Sequence, residues 1–249
     1  MAKQNSLIKI EGTIDNLTFY KSADGHFVRS KGGVSKSRIM NDPAFVRTRE
    51  NGAEFSSIAS SGKLLRTALG SMLFKAKDPK LTSRLVKVLA QVKNMDGNSV
   101  RGERNVAEGL TDVTAKALLT GFDFNVRASL GSVLNAPVVA DMATGAVSIA
   151  AFNPMEQMNC SNGATHFSLQ SGFLDVDFET GAYELTQSPE LIFPLVQGVV
   201  APVLTPTAVP AGTGVKMVLL LIEFFQEVNG VRYMLNNGAF NVLQLVAVD

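Results

Sequence analysis

Asn229-Gly230 stands between the runs "IEFFQEV" and "VRYML". An Asn-Gly pair flanked by strand-like apolar runs is the strongest short-range hairpin signal, because a two-residue turn of the right twist needs positive φ at both central positions. This feature commits the end of the chain to antiparallel β structure. The texture upstream agrees. From Phe122 onward, "FDFNVRA", "VSIAAF", "THFSLQ", "LDVDFE", "AYELT", "VKMVLLLIEFF" and "FNVLQLVAV" read as strands, separated by "ATGA", "NCSNGA", "ETGA", "VNGV" and "NNGA". Short strands at near-regular spacing point to an antiparallel β-sandwich over 122–249. The proline-rich "APVLTPTAVPAGTG" at 201–214 reads as a long loop or edge crossing, since proline donates nothing to a ladder.

Residues 43–121 read differently. Asp42-Pro43 is a helix start, with a capping carboxylate followed by proline at the first helical position. Phe45, Gly52, Phe55, Ala59, Gly62, Leu65, Leu69 and Leu73 then recur at helical spacing. Small residues in that stripe allow close approach by a neighbour; the alternative reading, from the cost of glycine in a helix, is a break near Gly52 or Gly62. Asp78-Pro79 repeats the device ahead of Leu81, Leu85, Val88 and Val92, with Gly97 as a stop. "NMDGNSVRGERNVAEG" reads as a loop or a frayed helical stretch. Thr111 or Asp112 caps a short helix ending at Gly121.

Residues 1–42 read as a basic β-hairpin arm and linker. "SLIKIEGTI" alternates, "DN" at 15–16 is a turn, and Asp24-Gly25 turns "LTFY" into "HFVR". A two-stranded hairpin is marginal in isolation, so this arm requires a cover. The fold class is therefore α+β: an N-terminal β-hairpin arm, a short helical region and a C-terminal antiparallel β-sandwich.

Charge divides along the same line. Residues 1–109 carry 19 Lys and Arg against 10 Asp and Glu, whereas residues 110–249 carry 4 against 12. A basic end and an acidic end on one chain favour docking within the chain or head-to-tail contact between copies. The basic end alone also suits nucleic acid, an anionic surface or an acidic partner.

Recognisable chemistry is sparse. No phosphate loop, dinucleotide fingerprint, zinc pair or nucleophile elbow is present. A single cysteine, Cys160, excludes an intramolecular disulfide framework. Cys160 and His166 flank "SNGAT", but the spacing supplies no oxyanion donor or orienting carboxylate, and they read as a turn cysteine and a strand histidine. Asp175, Asp177 and Glu179 alternate in "DVDFE", which on a strand puts three carboxylates on one face. That face suits solvent, a cation, a carboxylate pair for glycoside hydrolysis, or a docking strip for the basic arm. Arg47, Arg49, Glu50 and Glu54 read as an exposed charged helix face. The longest apolar run, broken by Glu223, is too short to span a bilayer, and the first residues lack the apolar core of a secretory signal. Membrane insertion is not expected, and synthesis in the cytoplasm is.

Gly12, "NLTFYKSADGHFVRSKGG" and "NDPAFVRTRENGAEF" together resemble an uncharacterised family of bacterial proteins of the type found in Bacteroidetes genomes and their phages. The likeness lies in the first third of the chain. It implies no known activity, no catalytic residue and no cofactor, and it implies a phage-linked or assembly role.

These readings converge on a non-enzymatic structural or assembly protein, a virion or filament subunit, self-associating through the basic arm and the acidic C-terminal domain. The expected assembly residues are Phe19, Tyr20, Lys21, Phe27, Arg29, Lys31, Arg47 and Arg49 on the basic side, and Asp175, Asp177 and Glu179 on the acidic side. The alternatives are a nucleic-acid-binding module using the basic half and a carbohydrate- or cation-binding β-sandwich. Partners are then further copies of the chain, other assembly proteins or nucleic acid.

Overall fold

The computed structural model describes residues 2–30, 32–76, 78–235 and 238–249. It shows the α+β class expected, with N-terminal strands, a helical region and a large antiparallel sheet. The chain divides into two compact units, Met1–Glu50 and Asn51–Asp249.

In the first unit, strands β1 (Ala2–Lys3), β2 (Gly12–Ile14), β3 (Leu17–Ser22) and β4 (Gly25–Ser30) form an antiparallel sheet in the order β1-β4-β3-β2. Asp15-Asn16 turns β2 into β3, with Asp15 at φ 49°. The expected strand over "SLIKIEGTI" is only partly formed, beginning at Gly12. The Gln4 side chain explains why. Its Nε2 donates to Ile10 O and its Oε1 accepts from Ile10 N, closing residues 5–9 into a loop that carries Leu7 and Ile8 into solvent. Helix α1 (Lys36–Asn41) follows, capped by Ser35. Asp42 then accepts from Ala44 N at the start of a 3-10 turn over Pro43–Phe45, the capping device legible in the sequence.

Helix α2 (Val46–Lys75), most of it in the second unit, runs through both Gly52 and Gly62 without breaking. Gly62 instead receives the side chains of Leu85, Val86 and Leu89. The break comes at Gly70, at φ 42° and ψ −113°, a combination open to glycine and costly for any L side chain. The expected stripe holds from Gly62 to Leu73 but fails earlier: Phe55 is exposed, and Glu54, Ile58 and Ser61 face inward instead. Helix α3 (Leu81–Asn94) buries Leu81, Leu85, Leu89 and Val92, and it ends before Gly97. Asp78 does not cap it directly; its carboxylate takes Lys80 N, Val126 N and the Arg84 guanidinium. Helix α4 (Val106–Gly109) is capped by Asn105. Helix α5 (Val113–Leu119) is capped by Asp112, as expected. Helix α6 (Leu130–Val133) leads into the second sheet.

That smaller sheet contains β5 (Val138–Ala140) and β6 (Val147–Ile149), followed in the chain by α7 (Pro154–Gln157). The main sheet is built on two long strands. β7 (His166–Val176) pairs along its whole length with the later strand over Val215–Val228. The outer edge of β7 is shared end to end by β8 (Tyr183–Gln187) and β9 (Leu191–Pro194). β10 (Val203–Leu204) joins β6 in the smaller sheet. β11 (Val215–Val228) then shares its own outer edge between β12 (Val231–Met234) and β13 (Val242–Val248). The hairpin joining β11 to β12 has Asn229 at φ 54° and Gly230 at φ 75°, as the Asn-Gly signal requires.

Both faces of this sheet are covered, which explains why "VKMVLLLIEFF" reads as an unbroken apolar run rather than an alternation. Met217, Leu219 and Leu221 pack with Leu174, Val176, Leu243 and Leu245 beneath α2, α3 and α5. Val218, Leu220, Ile222 and Phe224 point the other way, with Phe167, Leu169 and Phe173, against β5, β6 and β10. Each fully buried side chain of this size contributes roughly 1.5–3 kcal/mol, so this double cover is the main stabilising feature of the second unit. The proline-rich segment crosses the β8 edge, with Thr207 N donating to Gln187 O and Ala211 N to Glu184.

Candidate functional site

The register of the N-terminal sheet sorts its side chains. Cross-strand partners share a face, and successive residues alternate. Phe19 pairs with Val28, Leu17 with Ile14 and Ser30, Lys21 with His26, and Val28 with Ala2, giving one mainly apolar face. Tyr20 pairs with Phe27, Thr18 with Arg29 and Thr13, and Phe27 with Lys3, giving the other. Phe19 and Phe27 therefore point to opposite faces and form no joint anchor, because they sit one position out of register with each other. The aromatic pair is Tyr20 and Phe27, stacked with ring centroids 6.0 Å apart, with the Arg29 guanidinium 5.6 Å from the Tyr20 centroid. Lys31 lies outside the described residues.

No described residue among the first fifty is buried. Ile14 is 56% exposed, Leu17 46% and Ile8 75%. Ordering a residue costs about 1–2 kcal/mol of backbone entropy, and a unit that removes no side chain fully from water has little to set against it. The unit is also basic, with nine Lys and Arg against five Asp and Glu, whereas the second unit has fourteen against seventeen.

Two of the expected basic contacts are engaged locally. Arg49 Nη1 donates to Ile39 O and Asp42 O, stapling α1 to the turn that follows it. Arg47 pairs with Glu50 at 2.9 Å. These two serve the helix entry, leaving Lys21, Arg29 and the aromatic residues as the presented set.

The acidic trio is not one face of a strand. β7 ends at Val176. Asp175 is buried on the side of Phe173, its Oδ1 accepting from Gly214 N and its Oδ2 3.6 Å from the Lys216 ammonium. Asp177 begins the turn into β8. Its Oδ1 accepts from Glu179 N and Thr180 N, and its Oδ2 from Thr180 Oγ1; the Thr180 hydroxyl bond leads these in holding the carboxyl below its usual range. Glu179 is exposed on that turn. Asp175, Asp177 and Glu184 instead meet around a cavity of about 290 Å³ with Tyr183 on its rim. Among the described residues, no three His, Cys, Asp or Glu side chains are arranged to hold a metal ion.

The Asp177 turn has a twin. "DMATGA" (141–146) and "DFETGA" (177–182) share an Asp-x-x-Thr-Gly-Ala pattern. In each, the Asp carboxylate takes the Thr hydroxyl and a backbone N–H, and the Thr hydroxyl in turn takes the Ala N–H. These turns join β5 to β6 and β7 to β8. The repeated hexapeptide is a sequence signal from which the turn role of Asp177 could have been read, and the strand reading of "DVDFE" missed it.

Sequence reasoning also missed the most heavily bonded carboxylate among the described residues. Glu54, expected on an exposed face, is buried and accepts from Lys93 Nζ at 2.5 Å, Gly102 N at 2.9 Å and both Arg104 Nε and Nη2. Chiefly through Arg104, its carboxyl is pulled down to about 2. Asp96 takes Asn98, Ser99 and Asn105 N–H groups, so the 95–105 segment is an ordered loop wound on two carboxylates. His166 Nδ1 lies 2.9 Å from Thr165 Oγ1 with its ring stacked on Phe225. Those contacts suit a structural histidine. Among the described residues, no helix is long and apolar enough to cross a membrane. No protein family, curated protein or solved structure matches the chain.

Proposed function

We propose that the chain is a non-enzymatic assembly protein that associates with further copies of itself, its basic N-terminal sheet docking on the acidic β7–β8 end of another copy. The observation that carries this reading is the absence of any buried residue among the described ones of the first fifty. Exposed Ile14 and Leu17, beside Phe19 and Val28, supply an apolar surface for burial. Lys21 on that face, with Arg29 on the other, gives charge complementary to Asp177, Glu179 and Glu184. The resemblance of the first third of the chain to an uncharacterised family of the type found in Bacteroidetes genomes and their phages is what suggests a virion or filament as the assembled state. Sedimentation velocity of the full chain tests this across a dilution series at low and high salt. Larger species that dissociate on dilution, with salt, or on Leu17→Asp are expected. A strict monomer at the highest concentration and lowest salt overturns the proposal.

The stacked Tyr20–Phe27 pair beneath Arg29 favours a second reading, single-stranded nucleic acid bound by base stacking and phosphate contacts. Its mark is retention of an oligonucleotide in a gel shift that weakens steeply with salt. No retention at low salt rejects it.

A further inference from the structure

Three charged side chains stand in one row across the main sheet. The register aligns Lys216 of β11 with Asp175 of β7, and Asp175 in turn with Glu184 of β8. Directly opposed residues share a face, so all three lie on the Phe173 side of the sheet. Asp175 is 3% exposed. Its Oδ1 accepts from Gly214 N at 3.1 Å. Its buried Oδ2 has no hydrogen-bond partner among the described residues, although the Lys216 ammonium stands 3.6 Å away. The Lys75–Glu223 and Lys93–Glu54 pairs close to 2.6 and 2.5 Å; this pair does not. Lys216 Nζ is held instead by Pro210 O at 3.0 Å, 5.6 Å from the centroid of the Phe173 ring. Gly212, where a β-carbon has no room beside the Asp175 carboxyl, closes the proline-rich crossing over it. Asp175 and Glu184 line the same cavity of about 290 Å³.

We propose that Lys216 and Asp175 condense into an intramolecular amide, a covalent cross-link between β11 and β7. One proton passes from the ammonium to Asp175 Oδ2, which gives a neutral amine and a carboxylic acid. A small shift of the Lys216 chain brings its nitrogen to the roughly 3–3.5 Å of a reacting pair. The nitrogen lone pair then attacks Asp175 Cγ, and the C–Oδ1 π electrons move onto Oδ1. Gly214 N–H already donates there and stabilises the developing oxyanion. A second proton leaves nitrogen for Oδ2 by way of Glu184, the C–Oδ2 bond breaks, and water departs into the cavity. Ammonium and carboxylate give amide and water, so atoms and charge balance without a co-reactant, and Glu184 is returned unchanged. The unbonded Oδ2 is the leaving oxygen. Asp177 is no substitute for Glu184 as proton carrier, because both its oxygens are committed to its own turn. The product replaces a charge pair whose desolvation opposes folding with a neutral amide. A plain ion pair between the two strands is the competing use of these residues, and the mass of the chain separates the two.

Intact-mass and peptide-mapping mass spectrometry of the purified full chain tests the proposal. The chain is expected to be lighter than its sequence by one water molecule, with Asp175 and Lys216 in one branched peptide and no tryptic cleavage after Lys216. Lys216→Arg keeps the positive charge and forms no amide, so this variant is expected at its full mass. Glu184→Gln, at an exposed position, is expected to slow cross-linking at least about a hundredfold, read as the fraction of uncross-linked chain over time after expression. Circular dichroism confirms that both variants fold. Full mass in the folded parent after prolonged incubation overturns the proposal. So does a loss of water that maps to a single linear peptide, such as the imide that Asp24-Gly25 or Asp96-Gly97 can form. Cross-linking of Glu184→Gln at the parent's rate overturns the part given to Glu184. The N-terminal sheet enters none of these readouts, so the outcome is independent of self-association.

Discussion

Replacing Glu54 with Gln removes one charge from the centre of the helical region while keeping the shape of the side chain. Glu54 is 4% exposed, and Lys93 beside it is 6% exposed. A carboxyl held at about 2 rather than 4.5 stabilises the folded state by about 3 kcal/mol at neutral pH. The sign follows from proton binding. Between pH 4.5 and 2 the unfolded chain binds the proton and the folded chain does not, so the contribution is complete above the unfolded value and is lost as pH falls through that window. The amide in Glu54→Gln leaves the Lys93 ammonium buried without a counter-charge, for which about 3–5 kcal/mol is the usual loss. Urea unfolding of the variant at pH 7 is therefore expected to show a loss of that size. Its stability is also expected to fall less between pH 4.5 and 2 than that of the parent. Glu54→Gln with Lys93→Met should recover part of the loss, since both partners of the pair are then neutral. A loss under about 1 kcal/mol at pH 7, with an unchanged acid profile, refutes the assignment of Glu54 as the buried anchor.

Four further outcomes follow from the same structure. Gly70→Ala places a β-carbon on a backbone conformation closed to it and should cost about 1–3 kcal/mol in urea unfolding; an unchanged midpoint means α2 has no kink there. An ideal β-carbon at Gly172 lies 2.6 Å from Met72 Sδ, so Gly172→Ala should destabilise by about 1–3 kcal/mol, with a less than additive loss beside Met72→Ala. Asp141→Ala and Asp177→Ala remove the carboxylate from twin turns and should each lower the melting temperature by similar amounts; a neutral change at either denies that turn its role. Leu17→Asp should abolish the larger species in sedimentation while leaving the near-native circular dichroism of the second unit unchanged.

Much of the fold was legible because its signals are local. Asn229-Gly230, Asp42, Asp112 and Asp15-Asn16 each set a backbone conformation within a few residues, and each sits where the sequence places it. The failures share a different cause, since they depend on what lies across the core. The helix breaks at Gly70 rather than Gly52 or Gly62, and Met72 beyond the break packs over Gly172 of β7, more than ninety positions away along the chain. Glu54 and Phe55 exchange their expected burial because Lys93 and Arg104 converge on that side of α2. Asp175 is buried because the proline-rich crossing places Gly214 over it. At the candidate interface, the hairpin and its basic residues were legible. The opposite facing of Phe19 and Phe27 was not, since it turns on a register of one residue.

The central claim is that another copy covers the N-terminal sheet. Hydrogen exchange of the full chain, followed by mass spectrometry at high and low protein concentration, tests it at the residues concerned. Self-association predicts that amides of Leu17–Ser30 exchange more slowly at high concentration and speed up on dilution, while β7 and β11 stay equally protected in both. Exchange across Leu17–Ser30 that is fast and independent of concentration contradicts it.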